Sequence, residues 1–126
     1  MLELAGSEAA ASAAAAERIM ALEKALAQAS RTLTELRDPE ANYHRMDRGK
    51  VAQLAPDFAW TGYFKGIGLP AAQTHLVVGQ PDFLKAFSRL ARTVPASDWR
   101  TYLRWHLLRG TASALPEAFE TEGVWF

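Results

Sequence analysis

The sequence predicts a mainly α-helical protein: a bundle of about five to six helices with at most one short β-strand, at about residues 75–78. Apolar residues recur at three- and four-residue intervals along most of the chain, and proline or glycine marks the ends of these periodic stretches. The apolar run at 75–78 is the one convincing strand candidate.

Length and composition narrow the possible classes of protein. A chain of 126 residues with 49% apolar residues is expected to form one globular domain. Because 14 basic residues balance 14 acidic ones, charge gives no case for a nucleic acid or an anionic membrane as partner. We expect no membrane span and no signal peptide in this chain. The absence of cysteine excludes disulfides and thiolate metal sites, and it leaves the compartment unknown.

The first 36 residues contain two kinds of helical sequence. Residues 1–16 are alanine-rich and lack large side chains to dock them, so we expect a lead-in that frays easily. Residues 17–126 form the helical segment proper. Its first helix carries an a/d-like seam. The seam consists of Ile19, Leu22, Leu26, Ala29, Leu33 and Leu36. It suits either a helix packed within its own domain or a coiled-coil contact with a second chain.

Loops and short helices are expected in the middle of the chain. Asp38–Pro39 should end the first helix, before a loop packed by Tyr43 and Met46. Asp47 is a candidate N-cap for a short helix over Val51, Leu54 and Ala55. A further helix should open at Pro56–Asp57 with Phe58, Trp60, Tyr63 and Phe64, and close at Gly66, Gly68 and Pro70. The strand candidate that follows needs a partner, which we expect in another copy or in a segment outside this chain.

The stretch from residue 77 to 105 predicts two helices joined by a short link. Pro81 suits a first helical position and Pro95 ends that helix. Ser97 is the candidate N-cap of the second helix, which should end at Gly110. Its apolar face is predicted to hold Trp99, Tyr102, Leu103, Trp105, His106 and Leu108.

A last helix is expected after Gly110, with Pro116 either near its start or at a kink in a longer helix. One face of this helix should hold Leu115, Ala118, Phe119, Glu122, Trp125 and Phe126. An end at Val124–Phe126, within an aromatic and still periodic run, suggests a cut through a larger protein. We expect self-association through these residues and strand 75–78, as a homo-oligomer or a domain swap.

The chain offers no candidate catalytic, cofactor-binding or metal-binding residue. His44, His75 and His106 lie far apart in sequence, and no HExxH pattern occurs. Asp38, Glu40 and Asp47 read as caps and surface charges, and the glycines at 66 and 68 as a turn. The aromatic residues could form a ligand face, but at helical spacing a place in the core is favoured. These are Trp60, Trp99, Tyr102, Trp105 and Trp125.

Five motifs, in order, resemble the neprilysin-type zinc metallopeptidase family, which includes endothelin-converting enzymes and bacterial oligoendopeptidase O. They are ERIMALEKALAQAS (17–30), RDPEANYHRM (37–46), LAPDFAWTGYF (54–64), VVGQPDFLKAF (77–87) and DWRTYLRWHLL (98–108). The likeness is greatest to bacterial members. The resemblance implies part of the helical lobe that faces the catalytic lobe across an internal cavity.

The resemblance also implies a longer parent protein that cleaves peptides with zinc. The family's HExxH helix, its ExxxD ligand helix and its Asn-Ala substrate strand all lie beyond this stretch, so no site residue is carried over. This chain should be inactive alone, with the missing catalytic lobe as its partner and peptides as substrates of the parent only. An exported, periplasmic or cell-surface parent would fit the family. The alternative function is a free-standing helical module that dimerises through the Ile19–Leu36 seam.

Overall fold

Helices dominate the computed structural model, which describes residues 1–123. The elements are α1 (Ala9–Ala29), β1 (Arg45–Asp47), α2 (Arg48–Leu54), α3 (Trp60–Gly66), β2 (His75–Val77), α4 (Pro81–Thr93), α5 (Ala96–Gly110) and α6 (Glu117–Gly123), with 3₁₀ turns at Glu35–Arg37 and Ala112–Ala114. The predicted fold class is confirmed. Expectations for Val124–Phe126, including Trp125, lie outside the described residues. No helix within residues 1–123 is long and apolar enough to cross a membrane.

The chain divides into two compact units, described in turn: Ala25–Thr93, and Met1–Lys24 together with the chain from Val94 onward. The Ala25–Thr93 unit has a core of Val51, Phe64 and Val78, all buried. Half-buried side chains surround this core: Met46, Leu54, Trp60, Leu69, Leu76 and Leu84. Burial of these apolar side chains is the main favourable term in the stability of the unit.

A two-stranded antiparallel sheet lies beside this core. β1 pairs with β2 in a register that sets Arg45 opposite Val77 and Met46 opposite Leu76. The expectation that the strand needs a partner from outside the chain is therefore wrong. Three residues with charges at both ends, Arg45–Asp47, carry too little alternation for a sequence pattern to reveal β1.

Arg48, the first residue of α2, fixes the loop that leads into β2. Its guanidinium donates to the carbonyl oxygens of Gln73, at 2.8 Å, and Pro70. The same group lies over the ring of Phe64, 5.2 Å from its centroid. The path of residues 70–73 is thus set by bonds from one side chain to backbone carbonyls.

The first helix is shorter at its C-terminal end than its apolar pattern predicts. α1 ends at Ala29, not near Asp38–Pro39, and Leu33 is 79% exposed. The cause is a capping box in which the Thr32 hydroxyl and the Glu35 carboxylate bond reciprocally to each other's backbone N–H. Since the helix stops before Leu33 and Leu36, the continuous Ile19–Leu36 dimerisation seam is not formed.

Several predicted helix boundaries are confirmed in the Ala25–Thr93 unit. The Asp47 carboxylate caps α2 by accepting from the N–H of Lys50 at 2.7 Å. α4 begins at Pro81, and Gly66–Gly68 form the turn that ends α3, with Gly68 at a φ of +70°. α3 begins at Trp60, a few residues after the predicted start at Pro56–Asp57.

The second unit buries Leu2, Ala15 and Ile19 against Tyr102, Trp105 and Leu108 of α5. Within the expected lead-in at residues 1–16, α1 begins at Ala9, and Ser12 is buried as well. The Arg104 guanidinium donates to the carbonyl oxygen of Ala5 at 2.9 Å, and this bond holds the chain before α1 against α5.

Three local expectations are wrong. Ser97 does not cap α5, because the helix begins at Ala96 with Pro95 at the N-cap. Leu103 is 62% exposed although it was placed on the apolar face of α5. Tyr43 is also exposed, so it does not pack the loop, whereas Met46 does pack against the core.

Candidate functional site

The three histidines lie in different surroundings, and each ring is engaged by a neighbour. His44 Nδ1 lies 3.0 Å from the carbonyl oxygen of Val78, and His75 Nδ1 lies 3.0 Å from the hydroxyl of Thr74. His106 Nε2 lies 3.0 Å from a carboxylate oxygen of Glu23. The described residues therefore do not bring any two histidines together as a pair of ligands.

A zinc ion does not fit these residues. Structural and catalytic zinc sites need three or four converging nitrogen, sulfur or carboxylate ligands. Nowhere in residues 1–123 do three His, Asp or Glu side chains converge in this way. The acidic residues that stood out in the sequence make local bonds instead. Asp38 accepts from the N–H groups of Glu40 and Ala41 at 3.0 Å, and Asp47 caps α2.

In the unit that contains α5, three titratable side chains contact one another: Glu23, Tyr102 and His106. The rings of Tyr102 and His106 meet edge to face at 4.4 Å between centroids. Burial, and then the hydrogen bond to the Glu23 carboxylate, together raise the pKa of Tyr102 to about 12. A tyrosine that holds its proton so firmly is a hydrogen-bond donor here, and it is unsuited to act as a base.

An apolar concavity of the Ala25–Thr93 unit is a groove of about 570 Å³, called here the α3–β2 groove. Its lining residues are Leu36, Asn42, Val51, Trp60, Tyr63, Phe64, Ile67, Leu69, Leu76, Val77, Val78, Gly79, Gln80, Phe83 and Leu84. None of them carries a charge. Such a groove suits the packing of an apolar segment, and its lining contains no His, Cys, Ser, Thr, Lys, Arg, Asp or Glu side chain.

The aromatic residues are divided between the two units, and the expectation that they pack rather than form one ligand face fits their contacts. The ring centroid of Trp60 lies 4.8 Å from that of Phe58 and 5.4 Å from that of Phe64. The Trp60 indole N–H donates to the Ala55 carbonyl oxygen. Trp105 packs against the buried Leu2, Ala15 and Ile19, called here the Leu2 cluster. Sequence reasoning missed the groove, because its lining comes from segments up to about 48 residues apart whose register no pattern reveals.

Residues 1–123 form a segment of the mainly helical class with apolar contact surfaces. Within these residues no set of metal ligands converges. The family model described as Peptidase family M13, which covers the N-terminal part of that family, matches residues 1–126. The chain belongs to peptidase family M13. The predicted neprilysin-type resemblance is confirmed.

Similar proteins are known in animals and bacteria. Endothelin-converting enzyme 1 of Rattus norvegicus is 27% identical over 107 residues, which are 82% of this chain and 14% of that protein. Neprilysin-3 of Drosophila melanogaster is 30% identical over 111 residues, 80% of this chain and 14% of that protein. The chain thus spans about one-seventh of these curated relatives.

Two solved structures of the zinc metalloprotease Zmp1 of Mycobacterium tuberculosis are also similar. One shows the open state and the other a complex with an inhibitor. Each matches with a TM-score of 0.87 and 34% identity, over 94% of this chain and 18% of that chain. Zmp1 comes from a bacterium, in line with the predicted likeness to bacterial members.

Proposed function

We propose that this chain is a non-catalytic, helical part of a zinc metalloendopeptidase of family M13, and that it forms part of the wall of the cavity in which the parent protein cleaves peptides. In this proposal zinc and the catalytic residues belong to the catalytic lobe, which is the partner of this segment. The chain itself contributes no catalytic, metal-binding or substrate-binding residue and is inactive alone.

One observation carries the proposal: 94% of the chain has the fold of a part of Zmp1, yet that part is only 18% of a zinc metalloprotease. The side chains agree with a structural role. Each histidine ring is held by a neighbour from its own unit, Asp38 caps a turn and Asp47 caps α2. Activity then depends on residues outside the matched part.

A chimera tests this proposal. The matched part of Zmp1 is replaced by residues 1–126, and peptide hydrolysis is measured with and without a chelator. We expect hydrolysis that the chelator abolishes and zinc restores, because the catalytic lobe is unchanged. The ratio of kcat/KM for short and long peptides should differ from that of Zmp1 if the segment helps to limit the size of substrates.

The control is the isolated chain with and without added zinc, for which we expect no hydrolysis. The proposal is wrong if the isolated chain cleaves peptides in a chelator-sensitive way. It is also wrong if the chimera folds and binds zinc but hydrolyses no peptide.

A further inference from the structure

The α3–β2 groove is a mainly apolar surface, and the oxygens of its two side-chain amides already have partners. The amide oxygens of Asn42 and Gln80 both accept from Arg31, at 2.8 Å. The amide nitrogen of Asn42 donates to backbone carbonyls of Glu35 and Asp38. An occupant of the groove would therefore meet mainly apolar side chains and backbone, and a charged occupant would find no counter-charge in the lining.

Strand β2 has one paired edge and one open edge. The backbone N–H of Val78 donates to the carbonyl oxygen of His44, and the backbone N–H of Arg48 donates to the carbonyl oxygen of Thr74. The Met46–Leu76 pair lies between these two bonds. Since hydrogen-bonded pairs alternate in an antiparallel ladder, the N–H and C=O of Val77 point away from β1. The carbonyl oxygen of His75, which points the same way, accepts from the side chain of Gln73 at 2.6 Å.

The groove lies on the β2 side of the sheet, because Leu76, Val77 and Val78 line it whereas no residue of β1 does. Space is open there: a Cβ atom at Gly79 would meet no heavy atom within 4 Å. The apolar side chains beside this edge face solvent, with Ile67 58% and Val77 57% exposed. A strand edge next to exposed apolar side chains is the arrangement that strand addition uses.

We propose that the α3–β2 groove and the open edge of β2 bind one extended, uncharged, apolar segment, which adds to the sheet as a third strand and comes from the part of the family's polypeptide outside the stretch matched here. This inference rests on the proposed function. The matched stretch is only 18% of Zmp1, so most of that chain is available to cover the groove. The charge-free lining also suits a permanent intramolecular contact.

The test uses the 126-residue chain and synthetic peptides that tile the Zmp1 sequence outside the matched part. Binding is followed by fluorescence anisotropy of labelled peptides. We expect one apolar tile, or two that overlap, to bind. Hydrogen exchange at the Val77 amide should slow on binding, because strand addition gives that N–H an acceptor. A purely apolar contact would leave its exchange rate unchanged.

Three variants locate the contact. Ile67→Glu places a charge in the groove and should weaken binding at least tenfold. Leu107→Glu is the matched control, because Leu107 is similarly exposed, at 66%, but lies on α5 outside the groove. Val77→Pro removes the outward N–H while keeping the β1 ladder, so it should also weaken binding.

The proposal is overturned if no tile binds, or if a scrambled tile binds equally well. It is also overturned if the chain alone dimerises in a way that Ile67→Glu abolishes, since the occupant would then be a second copy. The chimera experiment separates this result from the proposed function. An active chimera with no binding tile rejects the strand addition alone, whereas a binding tile with an inactive chimera rejects the peptidase role alone.

Discussion

Ser88 and Asp57 bond to each other twice. The Ser88 hydroxyl accepts from the backbone N–H of Asp57 at 3.0 Å and donates to its carboxylate at 3.1 Å. Ser88 is 2% exposed and lies on α4, whereas Asp57 lies in the link before α3. The Arg92 guanidinium is 4.0 Å from the same carboxylate. A single hydroxyl thus joins α4 to the entrance of α3.

Replacing Ser88 by alanine should lower the free energy of unfolding by about 1–3 kcal/mol, because it removes the acceptor of the Asp57 N–H and the donor to its carboxylate. Urea titration followed by circular dichroism measures the change. The control is Ser97→Ala on α5, which removes an exposed hydroxyl and should change stability by less than about 0.5 kcal/mol. Equal effects of the two substitutions would contradict the assigned role of Ser88.

Trp105→Ala should cost about 3 kcal/mol, near the lower end of the range for large aromatic residues, because Trp105 is only partly buried against the Leu2 cluster. Leu103→Ala, two residues earlier on the same helix, removes an exposed side chain and should be nearly neutral. Thermal unfolding of both variants checks the difference. An unchanged midpoint for Trp105→Ala would refute its packing role.

Tyr102 should ionise near pH 12, because its burial and then the Glu23 carboxylate raise its pKa. Subtracting the tyrosinate absorbance titration of Tyr102→Phe from that of the unaltered chain isolates this group. Glu23→Gln should move the midpoint downward but only part of the way, since burial is the larger cause. A midpoint already at pH 10, the ordinary value, would show that the side chain is not placed as described.

The raised pKa of Tyr102 also predicts how stability depends on pH. A group that binds its proton more tightly in the folded state supports folding fully below its unfolded pKa of 10. This support is lost as pH rises from 10 through about 12. The unfolding midpoint of Tyr102→Phe should therefore fall less over this interval than that of the unaltered chain.

Glu35 should titrate below its ordinary pKa, because the hydroxyl of Thr32, and then its backbone N–H, donate to the carboxylate. Carboxyl resonances followed by NMR against pH give the midpoint. Thr32→Val should move it upward, whereas Thr34→Val should not, because Thr34 makes no side-chain capping bond. Since the folded pKa is lowered, the support that Glu35 gives to folding is present above its ordinary pKa and is lost as pH falls through the folded value.

Local signals in the sequence predicted a helix boundary correctly where a single residue determines it. Asp47 caps α2, Pro81 begins α4 and Gly110 ends α5, because each acts on its own backbone. The end of α1 was misjudged because two signals compete there. The apolar spacing continues to Leu36, but the Thr32–Glu35 capping box already starts a new turn.

Contacts between distant segments could not be predicted in the same way. β1 was missed and its pairing with β2 was sought outside the chain, because a three-residue strand has almost no periodicity. The α3–β2 groove was missed for a related reason: its walls come from α3, β2 and the start of α4, and only the fold brings them together. Self-association through strand 75–78 and Val124–Phe126 stays a prediction that competes with the strand addition proposed for the same edge of β2, and sedimentation equilibrium is its test.

Arg48 binds the loop at residues 70–73 through carbonyl oxygens, which every amino acid supplies. Substitutions at Ala71 and Ala72 should therefore leave the loop backbone in place, whereas replacing Arg48 would remove the bonds that hold this loop. Relatives of this chain should therefore vary at positions 71 and 72 while conserving Arg48. A reporter dye attached at position 71 or 72 should leave the neighbouring strands undisturbed.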